Sequence, residues 1–222
     1  MGMQKMSRVW KLAAVLSVLA AGPALAEFEL SVYTGVQTSP HSVVKGNDPS
    51  GIGDFDFTAG WEGKSLSMPP YYGIRGTWWR SATVGFGLEF NHAKVYADKD
   101  TLKDNDLETL EFTDGLNILT VNAFRRFPSE DRRWTPYIGG GVGISIPHVE
   151  FESTGEDTFN YQYGGPAVQW VAGVKYPLTE TWSMFGEYKG TYSRNDVDLE
   201  GGGNLETNIV TNALNLGVSF NF

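Results

Sequence analysis

The last fifteen residues, NIVTNALNLGVSFNF, alternate two kinds of side chain. Val210, Leu214, Leu216, Val218, Phe220 and Phe222 fall on one parity, with Asn212 the lone interruption, while Ile209, Thr211, Ala213, Asn215, Gly217, Ser219 and Asn221 fall on the other. A period of two marks a β-strand with two unlike faces. The same alternation puts Phe28, Leu30, Val32 and Val36 on one face of EFELSVYTGVQ, and Glu29, Ser31 and Tyr33 on the other. In YYGIRGTWW it separates Tyr72, Ile74 and Trp78 from Tyr71, Arg75 and Trp79. ATVGFGLEFNHAKVY sets Val84, Phe86, Leu88 and Phe90 against Glu89 and Asn91, and LNILTVNAFRRF sets Leu119, Val121 and Ala123 against Thr120 and Asn122. TPYIGGGVGISIPHVEF pairs an apolar row at Ile138, Val142, Ile144 and Ile146 with a nearly all-glycine face at Gly139, Gly141 and Gly143. Those glycines predict room for bulky side chains from opposite strands. YGGPAVQWVAGVKY and WSMFGEYKGTYS complete a set of eight.

In a soluble sheet the apolar row faces inward; in a membrane barrel it faces lipid and the lumen is polar. The ends of the chain favour the second arrangement. Lys5, Arg8 and Lys11 precede a short apolar stretch, LAAVLSVLAA, followed by Gly22-Pro23 and the small-residue site Ala24-Leu25-Ala26. That is a cleavable export signal over residues 1–26, too short to span a bilayer as a helix. At the other end, a terminal phenylalanine closing an apolar-out strand is the feature by which the barrel-assembly machinery takes up its clients. The fold predicted is all-β, an eight-stranded antiparallel transmembrane β-barrel over residues 27–222 in the outer membrane. Eight is the smallest even strand number that closes, and closure leaves no sheet edge for lipid to strand. Short turns after Trp79, Phe127 and Tyr176 read as periplasmic; long connections near 38–70, 97–113, 151–161 and 195–205 read as extracellular loops.

Composition narrows the chemistry. The sequence has no cysteine, which excludes disulfides and thiolate metal sites. Three of the 17 basic residues leave with the signal and all 26 acidic ones stay, so 14 bases face 26 acids, a formal charge of −12 that disfavours nucleic acid as a partner. Parity places Glu29, Arg75, Glu89, Glu187 and Lys189 inside, where opposite charges would form a polar plug. Arg75 also has the planar fork that clamps phosphate. Of the three histidines, His92 falls on the lipid-facing parity of its strand, where a position just above the membrane is expected, and His148 follows Pro147 at a strand end. His41, in the long SPHS loop with Asp54, Asp56 and Glu62 not far along the chain, is the most available for chemistry, and His41, Asp54 and Asp56 are the candidate ligands of a divalent metal. Neither a paired-histidine metal motif nor a serine–histidine–carboxylate set is present, which counts against a lipid A deacylase. The segment ADKDTLKDNDLETLEFTD carries acids well in excess of its two lysines; it reads as a solvated loop, or as carboxylates bridged by Mg²⁺ or Ca²⁺ to lipopolysaccharide phosphates.

The stretches SPHS, GWEGKS, MPPYYGIRGTWW, GFGLEFNHAKVYAD, LEFTDGLNILTVNA, PYIGGGVGISIPHVE, FGEYKGTYS and the ending TNALNLGVSFNF resemble the lipid A oxidase family (LpxQ) from about Glu27 to Phe222. PYIGGGVG and the last strand are generic to small outer-membrane barrels; the Trp61–Trp79 block and NHAKVYAD are the specific part. The resemblance implies an outer-membrane enzyme that uses molecular oxygen to oxidise the proximal glucosamine of lipid A to 2-aminogluconate, with hydrogen peroxide as by-product. No flavin or haem motif accompanies it. On that reading His41 is the base or a metal ligand with Glu62 or Glu89 assisting, Arg75 holds a lipid A phosphate, and Trp61, Tyr71, Tyr72 and Trp79 line the sugar-facing rim. A non-enzymatic barrel of OmpA-like size, acting as membrane anchor or adhesin, is the alternative.

Overall fold

The computed structural model describes residues 27–222; the expected export signal lies outside them. In chain order the elements are β1 (Glu27–Thr38), β2 (Ser42–Asp48), β3 (Gly53–Ala59), β4 (Trp61–Glu62), β5 (Tyr72–Trp79), β6 (Val84–Ala97), a helix α1 (Lys99–Asp104), β7 (Thr109–Arg126), β8 (Thr135–Glu152), β9 (Thr158–Tyr161), β10 (Gly165–Pro177), β11 (Trp182–Leu199) and β12 (Gly203–Asn221). Eight of the strands form an antiparallel ring in the order β1-β5-β6-β7-β8-β10-β11-β12, and β1 pairs with β12 to close it. Every predicted strand is present, with the predicted faces. Val36, Leu88, Val121, Val142, Leu214 and Leu216 are exposed on the outside, while Glu29, Tyr33, Arg75, Glu89 and Asn122 are buried inside. The one polar break in the outer row is answered locally: Tyr188 Oη donates to Asn212 Oδ1 at 2.6 Å.

The inner glycines work differently from the expectation. Gly139 lies directly opposite Phe124 of the neighbouring strand and Gly141 opposite Asn122, and a Cβ on either would strike that side chain at 2.3 and 2.0 Å. The room therefore serves the adjacent strand, not the opposite wall. The pairing recurs around the barrel: Tyr33 over Gly73, Trp79 over Gly85, Tyr137 over Gly173 and Phe185 over Gly217, each in direct register. An aromatic ring laid on a cross-strand glycine fills the narrow lumen sideways, where two facing side chains would collide.

Above the membrane wall the predicted loops are mostly ordered sheet. β2 and β3 form a hairpin joined to the top of β12, β4 pairs with β6, and β9 pairs with β8. β11 and β12 stay in register up to Leu199 and Gly203, so the predicted 195–205 loop is a hairpin tip. Acidic 97–113 contains α1, capped where Asp98 Oδ1 accepts from the Thr101 amide at 2.8 Å. Most of these segments read as loops because their outward residues are polar; β9, with Phe159 and Tyr161 outward, is only four residues long. Their inward residues are apolar: Val44, Leu110, Phe112, Val149, Phe151, Leu205 and Ile209 make a core above the lumen, with the Phe55 ring stacked 5.8 Å from Phe151.

Candidate functional site

The expected site residues occupy three separate places. Arg75, from β5, is clamped at the centre of the lumen. Its Nε and Nη2 donate to the two Glu89 oxygens at 2.8 and 3.1 Å, and its Nη1 and Nη2 to the two Glu187 oxygens at 3.0 and 2.8 Å. Tyr33 Oη and Gln169 Nε2 donate to Glu89 at 2.6 and 2.7 Å, Tyr137 Oη donates to Glu187 at 2.6 Å, and the Lys189 ammonium lies on Glu89 and Tyr33. One layer lower Lys175, which the sequence reading did not place, pairs with Glu29. Three lumen cations thus meet three lumen anions as close pairs, the arrangement under which buried charge is tolerated. A cavity of about 20 Å³ beside Glu29, Arg75 and Lys175 has room for a single water. With its fork taken by two carboxylates, Arg75 has no face for a phosphate, and Glu89 has none for a sugar hydroxyl.

The predicted aromatic rim is dispersed as well. Trp61 is buried in the upper core, its Nε1 donating to Ser42 Oγ at 2.8 Å and its ring 6.3 Å from Phe112. Tyr71 is buried inside against Tyr33, at 6.3 Å, while Tyr72 faces outward. Trp79 lies at the short-turn end, over Arg126 at 4.2 Å. Tyr71, just before β5, and Trp79, at its end, are eight residues apart, roughly 27 Å at the ordinary rise. His41 is exposed near Asp98, and Glu62 is exposed on the outer face with Lys64 at 3.6 Å. Asp54 accepts from Asn47 and Asp56 stands opposite Lys45 in the β2–β3 hairpin. Among the described residues no three His, Asp or Glu side chains converge as a metal would require.

What the fold does bring together is a lateral face at the foot of the long-loop end. Register aligns Glu62, Tyr96, Glu111, Glu150 and Phe159 as one outward row across β4, β6, β7, β8 and β9, with His148 opposite Tyr161 in the row beneath. His148 is 3% exposed, held edge-on between Phe159 and Tyr161 at 4.4 and 4.5 Å, and its Nδ1 has no partner among the described residues. His92, on the outward parity predicted, is likewise buried: it stacks on Tyr72 at 5.1 Å and donates from Nδ1 to Asn117 Oδ1 at 2.9 Å. Lys64 lies over the Tyr96 ring at 4.3 Å. Burial first, and then the hydrogen-bonded Glu150 carboxyl opposite, push Glu111 up to about 7; burial and both carboxyls push Tyr96 up to about 12. The signal in the sequence was TFNYQY, whose Phe159, Tyr161 and Tyr163 carry a strand period from the end of the stretch read as loop into the predicted strand that begins at Tyr163.

A family model described as outer membrane protein beta-barrel domain matches residues 12–222. No curated protein matches the chain. Among solved structures the chain is similar to Neisserial surface protein A, at 16% identity over 88% of this chain and 97% of that one, with a TM-score of 0.50. It is also similar to the N-terminal β-barrel domain of Pseudomonas aeruginosa OprF, at 16% identity over 88% and 97%, with a TM-score of 0.45.

Proposed function

The chain belongs to the outer membrane protein beta-barrel domain family, and on that premise we propose that it acts on lipid A from the surface of the outer membrane. The observation that carries this reading is the sealed lumen. A charge-matched plug closes its middle and an apolar core closes its upper end, so exchange with a ligand falls to the outer wall and the long-loop end. Those surfaces border the leaflet in which lipid A resides. The reaction is the one implied by the family resemblance: two hydrogens pass from the hemiacetal of the proximal glucosamine to O₂, giving the lactone and H₂O₂, and addition of water opens the lactone to 2-aminogluconate, a net gain of one oxygen. His41 and Glu62 remain accessible for this work, whereas Arg75 and Glu89 stiffen the barrel. The lipid A deacylase reading finds no added support.

The test is to incubate the refolded barrel in detergent with 1-dephosphorylated lipid A under O₂ and follow product mass, with His41→Ala alongside. Gain of one oxygen is expected; unchanged lipid with folded protein would sink the oxidase reading, and a lost acyl chain would replace it with deacylation. A second reading, a non-enzymatic anchor or adhesin, draws on the upper end itself. It is a rigid, apolar-cored, acid-faced platform of the kind a surface partner could dock on.

A further inference from the structure

We propose that the lateral face between β4 and β9 is a binding site for the sugar headgroup of an outer-leaflet glycolipid, entered from the membrane side. The inference deepens the lipid A reading, on which its choice of leaflet and lipid rests.

Height is the first argument. The apolar outer wall runs up β8 through Val142, Ile144 and Ile146, and His148 and Glu150 follow on the same face. At the usual rise and barrel tilt they stand roughly 5 and 10 Å above Ile146. That is the depth of a headgroup layer, about 5–8 Å on each side of a hydrocarbon core. A lipid whose acyl chains lie on the wall places its headgroup against this face.

The second argument is the chemistry assembled there. On one flank Leu66 and Met68 are 80% and 82% exposed, on a turn that is far from loose. Buried Lys94 donates to the Ser67 and Pro69 carbonyls at 3.3 and 3.0 Å, and Ser65 Oγ accepts from the Gln37 amide at 2.9 Å. Two large apolar side chains fixed in that position suit acyl chains at the leaflet edge and have no use in water. On the other flank Phe159 and Tyr161 are 62% and 57% exposed, held by His148 behind them and by Tyr161 Oη donating to the Asp114 carbonyl at 3.3 Å. Exposed rings backed in this way offer flat apolar area to the C–H face of a pyranose. Between the flanks lie the opposed Glu111 and Glu150 carboxyls, which can give and take hydrogen bonds with hydroxyl or amide groups. Behind the rings, His148 keeps a buried Nδ1 with no partner among the described residues.

This floor discriminates among lipids. A bare phosphodiester would meet two carboxyls, an unfavourable approach, whereas a sugar offers hydroxyls to the floor and can turn any phosphate toward Lys64. Ordinary phospholipid satisfies the apolar flank alone.

The test uses the full chain refolded in detergent micelles, checked for heat-modifiable migration, and titrated by native mass spectrometry with lipid A or with phosphatidylglycerol. Saturable binding of lipid A at least about tenfold tighter than phosphatidylglycerol is expected. Phe159→Ser with Tyr161→Ser should weaken lipid A binding about tenfold and leave phosphatidylglycerol unchanged, the loss of two stacking rings. Lys45→Ser with Arg194→Ser, on the β2–β12–β11 side of the barrel, is the control and should change neither. Unchanged lipid A affinity in the ring variant overturns the proposal, as does an equal loss for both lipids or an equal loss in the control. The two readings fail separately. If the ring variant loses lipid A yet wild type never oxidises it, the groove stands and the oxidase falls. If oxidation and affinity both survive in the ring variant, the groove falls and the oxidase stands.

Discussion

Two halves of one strand carry opposite instructions. On β11 the outward residues rise from Trp182 and Met184 through Tyr188 to Tyr192, all apolar or aromatic, and then become Arg194, Asp196 and Asp198. The inward residues invert at nearly the same height: Ser183, Glu187, Lys189, Thr191, Ser193 and Asn195, with Phe185 the one apolar side chain among them, give way to buried Val197 and Leu199. Hydrogen bonding and the period of two continue without a break. Only the solvent changes, from lipid outside to water outside. The lower half satisfies a polar interior with paired charge, and the upper half is an ordinary soluble sheet with an apolar core.

The sharpest way to break this division is to empty the plug. Arg75→Leu would leave Glu89 and Glu187 buried with Lys189 as their only nearby cation. Removing one partner of a buried ion network costs about 3–5 kcal/mol. The urea midpoint of the refolded barrel should fall accordingly, while Glu111 and Glu150, above the wall, are untouched. A midpoint within experimental scatter of wild type would mean that the plug contributes nothing to the lower half.

Phe151→Ala asks the converse question. Its ring is fully buried in the upper core, and truncation of such a residue costs about 3–5 kcal/mol. Because Phe151 lies above the charged plug, the loss should surface as protease cleavage around 150–165 while the membrane wall keeps its heat-modifiable shift. Global unfolding instead would show that the two halves fold as one unit.

How far the sequence carried the argument follows the same division. In the membrane half parity assigned Glu29, Arg75, Glu89, Glu187 and Lys189 to the interior correctly, since lipid outside forces a strict apolar alternation. In the upper half the outer row is mostly polar or acidic, so β2, β3 and the tops of β11 and β12 looked like solvated loop, and β9 is only four residues long. The candidate site suffered most. His41 was favoured because a long loop was assumed to be free, whereas the lateral row at Glu111, Glu150 and Phe159 depends on cross-strand register, which no periodicity within a single segment reveals. Gly139 shows the same limit: its need for space was legible, but not that Phe124 next door fills it.

Acidity sharpens the upper half from two sides. Glu111 is raised from 4.5 to about 7, so its contribution is complete below its ordinary value and is lost as pH climbs through about 7. Asp48 is held low against the pull of its burial, by hydrogen bonds from Ser153 and Ser50 and the Ile52 and Gly51 amides. Its contribution is present above the ordinary carboxylate range and lost as pH falls through its lowered value. Hydrogen exchange should therefore find the β7–β8 extension better protected at pH 5 than at pH 8, and Glu111→Gln should flatten that difference. The Asp48 junction of the hairpin tips should loosen only in stronger acid. A β7–β8 extension equally protected at both values would show that the raised Glu111 carboxyl does not bear on its stability.

The smallest effect tests how strictly the wall obeys lipid. Between Val210 and Phe222 Asn212 is the one polar residue in the outward row of β12, and Tyr188 Oη spends its proton on it at 2.6 Å. Asn212→Leu restores the apolar row but leaves that hydroxyl without its partner. A hydrogen bond of this kind contributes about 0.5–1.5 kcal/mol net, and the leucine returns a similar amount as buried apolar area against lipid. Urea stability should therefore stay within about 1 kcal/mol of wild type. Asn212→Leu combined with Tyr188→Phe removes both polar groups, and should be the more stable of the two variants. If the double variant is instead the weaker one, the Tyr188–Asn212 pair holds the outer wall in a way that alternation against lipid does not capture.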